Sequence, residues 1–304
     1  MCRAQETPIQ GNNMQEQIRI STDLTPNQKK EVTEMINRYQ DVFSTKPGRT
    51  TEAYHHIITD PGAKVTLRPY RVPAAKREEI KAEVKRMLEL GVIKESHSQW
   101  SSPIVLVLKP DGTTRFCNDF CWLNEISKID AYRIPRIDEL VDRLGNARFL
   151  TTLDLTKGYW QIPLAKDVKE KMAFSTPEGL FQYTVLPFGL HGAPATFQRL
   201  LDKLLWPHTS YAVAYLDDVI IHTPDWETHL GKVEAVLDTL RQADLTANPA
   251  KCSIGIAKAK YLGYIVGRGM VKPQLNKLEA IQNWCRSNWK KQVWAFLGVV
   301  GYYR

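Results

Sequence analysis

Two adjacent carboxylates stand in the stretch Tyr215-Leu216-Asp217-Asp218, between short apolar runs at residues 211–214 and 219–221. Runs of that length around a polar pair predict a β-hairpin with the acidic residues at or near its turn. The stretch holds neither Asn-Gly nor any glycine, so turn chemistry does not account for these residue types. Like charges side by side repel, and each is stabilised by a counter-charge. A hard divalent cation supplies one, because Mg²⁺ takes oxygen ligands and is commonly held by one or two carboxylates plus substrate phosphates. An isolated Asp-Asp pair is ordinarily a solvated acidic turn, so the company it keeps decides. Residues 149–155 have the pattern of a buried strand that closes on Asp154. If that strand neighbours the hairpin in one sheet, three carboxylates meet at one edge, and such a cluster is favourable only around cations. Two divalent ions clamp the attacking and leaving oxygens of an in-line phosphoryl displacement. Such transfer needs mainly positioning and charge neutralisation, so the spacing points to a nucleotidyl transferase.

The elements that must position these groups are legible from periodicity. Thr25-Pro26 predicts a helix start, followed by Val32, Met35, Ile36 and Tyr39 on one face. A second helix is expected over 76–90, with Ile80, Val84, Met87 and Leu88 inward and Gly91 as its stop. Its other face carries Lys76, Arg77, Lys81, Lys85 and Arg86, which reads first as a solvated face. Residues 103–108 and 115–119 form a hairpin through Pro110-Asp111-Gly112, with Lys109 and Arg115 flanking the turn. A further hairpin joins 172–175 to 180–185. Helices follow at 193–205, with Phe197, Leu200, Leu201 and Leu204 inward, and at 226–243, with Leu230, Val233, Val236, Leu237 and Leu240 inward. A short strand is expected over 261–266, and two helices over 274–304. Hairpins with helices between them argue for an α+β fold with an antiparallel sheet, not a doubly wound parallel one.

Composition sets bounds but names no activity. The 304 residues suffice for one large domain or two to three subdomains. The excess of 41 Lys+Arg over 33 Asp+Glu, net +8, suits a polyanionic partner. Five cysteines, Cys2, Cys117, Cys121, Cys252 and Cys285, form no metal-ligand spacing and fit free thiols in a reducing compartment. There is no signal-peptide pattern and no apolar run near the roughly 18 residues of a membrane span, so an intracellular, membrane-free chain is expected.

Beyond the carboxylates, the chain carries Leu153-Asp154-Leu155-Thr156-Lys157-Gly158-Tyr159-Trp160-Gln161-Ile162, then Leu186-Pro187-Phe188-Gly189-Leu190, then Ala193-Pro194-Ala195-Thr196-Phe197-Gln198, then Tyr215-Leu216-Asp217-Asp218. Flanking these are Arg68-Pro69-Tyr70-Arg71, Gly91-Val92-Ile93, Trp100-Ser101-Ser102-Pro103, Arg115-Phe116-Cys117, Leu123-Asn124 and Tyr261-Leu262-Gly263. In order and spacing, from about residue 23 onward, this resembles the reverse transcriptase of Gypsy-type LTR retrotransposons. The resemblance implies a right-hand polymerase of fingers, palm and thumb, acting as an RNA-directed DNA polymerase on an RNA or DNA template with primer and dNTPs. It implies a lead-in over 1–22, an N-terminal helix and linker over 23–89, fingers and palm over 90–269, and part of a thumb over 270–304. Asp154, Asp217 and Asp218 would hold two Mg²⁺ ions, with Mn²⁺ a possible substitute and Asp218 the least directly engaged. Tyr159 would be the steric gate against a ribose 2′-hydroxyl, with a packing aromatic as the alternative. Lys109 and Arg115 would hold the incoming triphosphate. Phe188 and Gly189 would border the nucleotide pocket, although Phe188 also reads as core. Lys251 would lie near the leaving pyrophosphate or be an ordinary surface lysine. Leu262, Gly263 and Tyr264 would form the primer grip.

Some positions depart from the family's pattern. Relatives have two basic residues where this chain has Cys121-Trp122, which removes phosphate contacts from a region expected to meet the template. Arg133 replaces a common Pro, and 285–289 departs from the usual Pro-rich link. The sequence contains no Asp-Ser/Thr-Gly protease motif, and Phe296-Leu297-Gly298 through Tyr302-Tyr303-Arg304 reads as a thumb cut mid-element. A fragment of a Pol polyprotein is therefore expected, with a catalytically silent, nucleic-acid-binding relic as the alternative. Ribonuclease H activity would require residues beyond Arg304. His55, His56 and His191 are expected as loop or packing residues rather than ligands.

Overall fold

Three sheets organise the computed structural model, which describes residues 17–108, 112, 114–144, 147–284 and 289–302. The central sheet runs Arg19–Ile20, Ser253–Ile256, Phe149–Asp154, Asp218–Thr223, Ala212–Tyr215 across its five strands. Every pair in it is antiparallel except the short first one. Arg19–Ile20, part of the expected lead-in, thus forms an edge strand. The second sheet runs Ile93–Glu95, Gly179–Tyr183, Ala173–Thr176, Ser102–Leu108, Thr114–Asn118. This is an α+β arrangement, with helices placed between hairpins as expected.

Alternation along the central strands buries both faces. Leu153, Val219, Ile221, Ala212 and Ala214 enter the main core, which they share with the helices Ala193–Leu204 and Trp226–Gln242. Leu150, Ile220 and Val213 enter a smaller core with Leu140, Leu144, Tyr261 and Val266. Fully covered faces pin the register, because a one-residue slip would exchange the two core faces.

Local chemistry fixes the helix starts. Thr25 and Gln28 form a reciprocal capping box ahead of Pro26–Arg38. Asp225 caps Trp226–Gln242 by accepting from the Thr228 amide at 2.9 Å. In Arg77–Glu89, Ile80, Val84 and Met87 are buried, but Leu88 is 38% exposed, contrary to its expected inward position. The apolar stripe is therefore one residue narrower than periodicity suggests. Lys76, Lys85 and Arg86 on the opposite face pair with Glu79, Glu89 and Glu83, as a solvated face does.

The short strand expected over 261–266 is instead broken by a turn. Ala259–Tyr261 and Tyr264–Gly267 pair antiparallel, and Met270–Pro273 adds a third strand. Leu262 and Gly263 make the turn, with φ of 46° and 82°, so a continuous apolar run had concealed a reversal. The helices Cys121–Ile126 and Ile137–Arg143 were not foreseen; both are under two turns long and too brief to show a period. Leu275–Gln282 and Lys290–Tyr302 are the two expected C-terminal helices. Among the described residues, no helix is long and apolar enough to cross a membrane.

Candidate active site

Asp154 ends the strand Phe149–Asp154 and lies directly across from Asp218, the first residue of Asp218–Thr223. Tyr215 pairs with Asp218 on the other side, leaving Leu216 and Asp217 as the hairpin turn. The three aspartates therefore lie at one end of the central sheet, where adjacent strands finish together. Two backbone bonds fasten them: the Leu155 amide donates to the Asp217 carbonyl at 2.9 Å, and the Asn248 amide donates to the Asp154 carbonyl at 2.8 Å. The segment after Asp154 is held by Gln161, a fully buried side chain missed as a functional residue. Its carboxamide donates to the Thr156 and Thr246 carbonyls at 3.0 and 2.9 Å and accepts from the Thr246 amide at 2.7 Å. Gly158 lies so close to the turn that an added Cβ would stand 3.0 Å from the Asp217 Cβ.

Lys251 completes the charge pattern. It closes the short turn Pro249–Lys251, just before the strand Ser253–Ile256 that borders Phe149–Asp154. Its Nζ lies 2.9 and 3.1 Å from the two Asp154 carboxylate oxygens. The site is electrostatically strained in the way the sequence implied. Asp218 is pushed up to about 6, first by burial and then by the charges of Asp217 and Asp154. Burial also raises Asp217, with Asp154 adding to it and Lys251 opposing. Burial disfavours the Lys251 ammonium, yet the Asp154 hydrogen bond and the surrounding carboxylates outweigh that and hold its pKa above the ordinary lysine value.

These residues suit a hard cation, since every donor is a carboxylate oxygen and the negative charge exceeds what one lysine neutralises. Among the described residues, no three His, Cys, Asp or Glu side chains are gathered as a ready-made metal cage. Lys251 is the cation that Asp154 faces.

Tyr159 is half-buried beside the carboxylates, and its hydroxyl is pushed up to about 12 by burial and then by the Asp217 charge. Its ring packs 5.0 Å from Phe188 and edge-on to Phe197 at 5.7 Å. Phe188 is 51% exposed, so it is not the core residue it also resembled. Next to it Gly189 has φ of 99°, a conformation that favours glycine. Asn124 grips that loop, donating to the Gly189 carbonyl at 2.8 Å and accepting from the His191 amide at 3.0 Å. Arg115 stands exposed on Thr114–Asn118, opposite Val107. Lys109, expected to act with it, lies outside the described residues. Leu262 and Gly263 form the turn of the third sheet and Tyr264 opens its next strand, and Leu262 and Tyr264 pack on the smaller core beneath the hairpin. The neighbouring Tyr261 hydroxyl is raised by burial and then by Asp218, which ties this turn to the carboxylate end.

His55 and His229 behave as packing residues, whereas His56 and His191 are exposed. His55 is buried, with Nδ1 2.9 Å from the Thr196 hydroxyl, and burial lowers it to about 4. His229, unremarked in the sequence, is buried on the central sheet between the hydroxyls of Thr151 and Thr223, at 2.8 and 2.9 Å. Among the described residues, Cys117, Cys121 and Cys252 are free thiols. Trp122, one of the two positions that depart from the expected pattern, is 55% exposed.

One end of the central sheet thus carries three aspartates, flanked by a lysine and a half-exposed aromatic pair. Residues 107–266 match the family model described as reverse transcriptase (RNA-dependent DNA polymerase), and the chain belongs to that family. It is 36% identical over 261 residues to the retrovirus-related Pol polyprotein from transposon 297 of Drosophila melanogaster, covering 84% of this chain and 25% of that protein. It is 32% identical over 248 residues to the transposon Tf2-3 polyprotein of Schizosaccharomyces pombe, covering 81% of this chain and 19% of that protein. The chain thus spans a quarter or less of the length of these relatives. Its fold is that of a right-hand polymerase. It superposes on a foamy viral protease-reverse transcriptase, solved in complex with double-stranded DNA, at a TM-score of 0.87 and 21% identity. That match covers 100% of this chain and 54% of the other. A foamy viral protease-reverse transcriptase solved with an RNA/DNA hybrid gives a TM-score of 0.83 at 22% identity, covering 96% of this chain and 39% of that one.

Proposed function

We propose that this chain is the polymerase portion of a retrotransposon Pol polyprotein, of the Gypsy-type LTR lineage, and adds dNTPs to a primer 3′-hydroxyl under the direction of an RNA or DNA template. The observation that carries the reading is the register that sets Asp154 across from Asp218 with Asp217 in the adjoining turn. Members of this family generally use divalent metal ions. In this chain Asp154, Asp217 and Asp218 would hold two, Mg²⁺ or Mn²⁺. Bound there, such ions favour the alkoxide form of the primer hydroxyl and neutralise the departing pyrophosphate.

The protein's own groups supply the rest. The raised pKa values of Asp217 and Asp218 come first from burial and then from neighbouring carboxylate charge, both costs that a cationic ligand would relieve. Lys251 keeps its proton and is available to the leaving pyrophosphate once Asp154 gains another partner. Tyr159, braced by Phe188 and Phe197, presents a rigid wall where a 2′-hydroxyl would lie. Arg115 and Lys109 would meet the triphosphate, Gly189 lets the backbone run close to the base, and the 262–264 turn would steady the primer strand. In this reading residues 90–269 are fingers and palm and 270–304 belong to the thumb. A polymerase that consumes dNTPs and handles an element's transcript would work inside the cell, in a cytoplasmic particle or the nucleus.

The test is incorporation of dNTPs on a primed homopolymer RNA or DNA template with Mg²⁺, in the unmutated chain and in Asp217→Asn. The substitution is expected to abolish incorporation. Incorporation indifferent to it would remove the assignment of the metal site. None at low salt in the unmutated chain would favour the silent relic, to which the exposed Trp122 in place of a basic residue also points.

A further inference from the structure

Leu216, between Tyr215 and the two turn aspartates, has φ of 53°. A leucine gains nothing from that left-handed region, where Cβ crowds the following carbonyl, so surrounding structure must impose it. Among the described residues, the strand Ala212–Tyr215 is the last in the central sheet, and one row of its backbone groups has no neighbouring strand. Gln198 occupies that gap. It lies on the helix Ala193–Leu204 and is fully buried. Its Oε1 accepts from the Leu216 amide at 2.8 Å and its Nε2 donates to the Ala214 carbonyl at 3.1 Å. A carbonyl at one residue and an amide two residues on point the same way along a strand. The carboxamide therefore stands in for a peptide unit of a missing neighbour strand. The remaining Nε2 proton goes to the Asp202 carboxylate at 2.8 Å, four residues along the same helix face. Asp202 is in turn fixed by the Tyr132 hydroxyl at 2.6 Å. All three of these hydrogen bonds are directed, so the amide can neither rotate nor flip.

We infer that Gln198 is the positioning residue of the carboxylate hairpin: with Asp202 and Tyr132 behind it, it imposes the left-handed turn at Leu216 and thereby aims Asp217 and Asp218. This rests on the polymerase reading for its consequence in catalysis, though not for its geometry. The carboxamide is buried and its hydrogen bonds are made within the protein, so its effect passes through the two aspartates.

Two measurements separate the clamp from the activity. The first is amide exchange at residues 214–218 in the unmutated chain and in Gln198→Met, which keeps the length and apolar bulk but loses both bonds to the hairpin. Faster exchange confined to the hairpin is expected; unchanged exchange there would overturn the inference, whatever the chain catalyses. The second is dNTP incorporation as a function of Mg²⁺. Gln198→Met is expected to lower kcat about 30-fold, the size of two lost buried hydrogen bonds, and to raise the Mg²⁺ concentration needed, with KM for dNTP little changed. In a Leu216→Asn background, where the residue enters the left-handed region more readily, the same substitution should cost less. An equal cost in both backgrounds, or a loss confined to KM, would refute the positioning role. If Gln198→Met does not fold, Gln198→Glu serves. It keeps the acceptor for Leu216 but sets a carboxyl against Asp202, so its defect should ease as pH falls, and a pH-independent defect would count against the clamp. An unmutated chain without incorporation would sink the polymerase reading while leaving the exchange result to judge the clamp.

Discussion

Asp218 illustrates a site whose charge works against the stability of its own fold. In the folded chain its carboxyl is pushed from 3.8 up to about 6 by burial and by Asp217 and Asp154. At about 1.4 kcal/mol for each tenfold change in proton affinity, this sets a ceiling of about 3 kcal/mol on the cost of ionising it. The side chain is only half-buried, so solvent screening brings the expected cost nearer 1–1.5 kcal/mol. Asp218→Asn removes that cost. The sign follows from proton binding. Below pH 4 the carboxyl is protonated folded or unfolded, so Asp and Asn chains should be alike. Between pH 4 and about 6 the unfolded chain has lost the proton and the folded chain has not, so the unmutated protein loses stability as pH rises. Above about 6 the difference is constant. Urea denaturation of both chains from pH 4 to 8 without divalent metal should show the advantage of Asn growing through that window and then levelling. Mg²⁺ at a hundred times its Kd for the unmutated chain should reverse the order at pH 7.5, because it then stabilises the folded state by about 2.7 kcal/mol and the Asn chain binds it less well. An Asn chain no more stable than the Asp chain at neutral pH, or an advantage independent of pH, would refute the account of a carboxylate destabilised by burial and neighbouring charge.

Three further outcomes follow from the geometry. Tyr159→Ala should remove the wall braced by Phe188 and Phe197 and reduce discrimination against ribonucleotides by roughly 10- to 100-fold, measured as the ratio of kcat/KM for dNTP and rNTP; unchanged discrimination would end the gate assignment. Gly158→Ala should press its Cβ on Asp217, lowering kcat while leaving the thermal midpoint within a few degrees, and normal turnover would show that the turn has more room than 3.0 Å suggests. His229 is held neutral by burial, at about 4 against an ordinary 6.5, so it contributes stability at neutral pH that is lost as pH falls from 6.5 through 4, by up to about 3 kcal/mol. His229→Gln should flatten that acid limb in a denaturation series, and an unaltered limb would assign acid sensitivity to other groups.

Local pattern determined much of this protein. The strand closing on Asp154, the hairpin around Asp217 and Asp218, and the helices begun at Thr25 and Asp225 each follow from residue spacing within one element, because capping and amphipathicity act over a few residues. The run at 261–266 concealed a turn, since an apolar run announces burial and not direction. Which strands are neighbours was beyond local pattern: the pairing of Asp154 with Asp218 and of Ser253 with Thr152 joins distant segments and is selected by the two cores that cover the sheet. The same holds for Gln198, which stood out only as a carboxamide among Phe197, Leu200 and Leu201 on a helix face. Its partners lie on a strand edge that exists only once the sheet is assembled. Tertiary packing likewise decided that Phe188 faces solvent against Tyr159, and that Lys251 meets Asp154 because the strand it precedes docks beside that aspartate's own. Sequence periodicity specifies the face a residue occupies; only the folded chain specifies what that face meets.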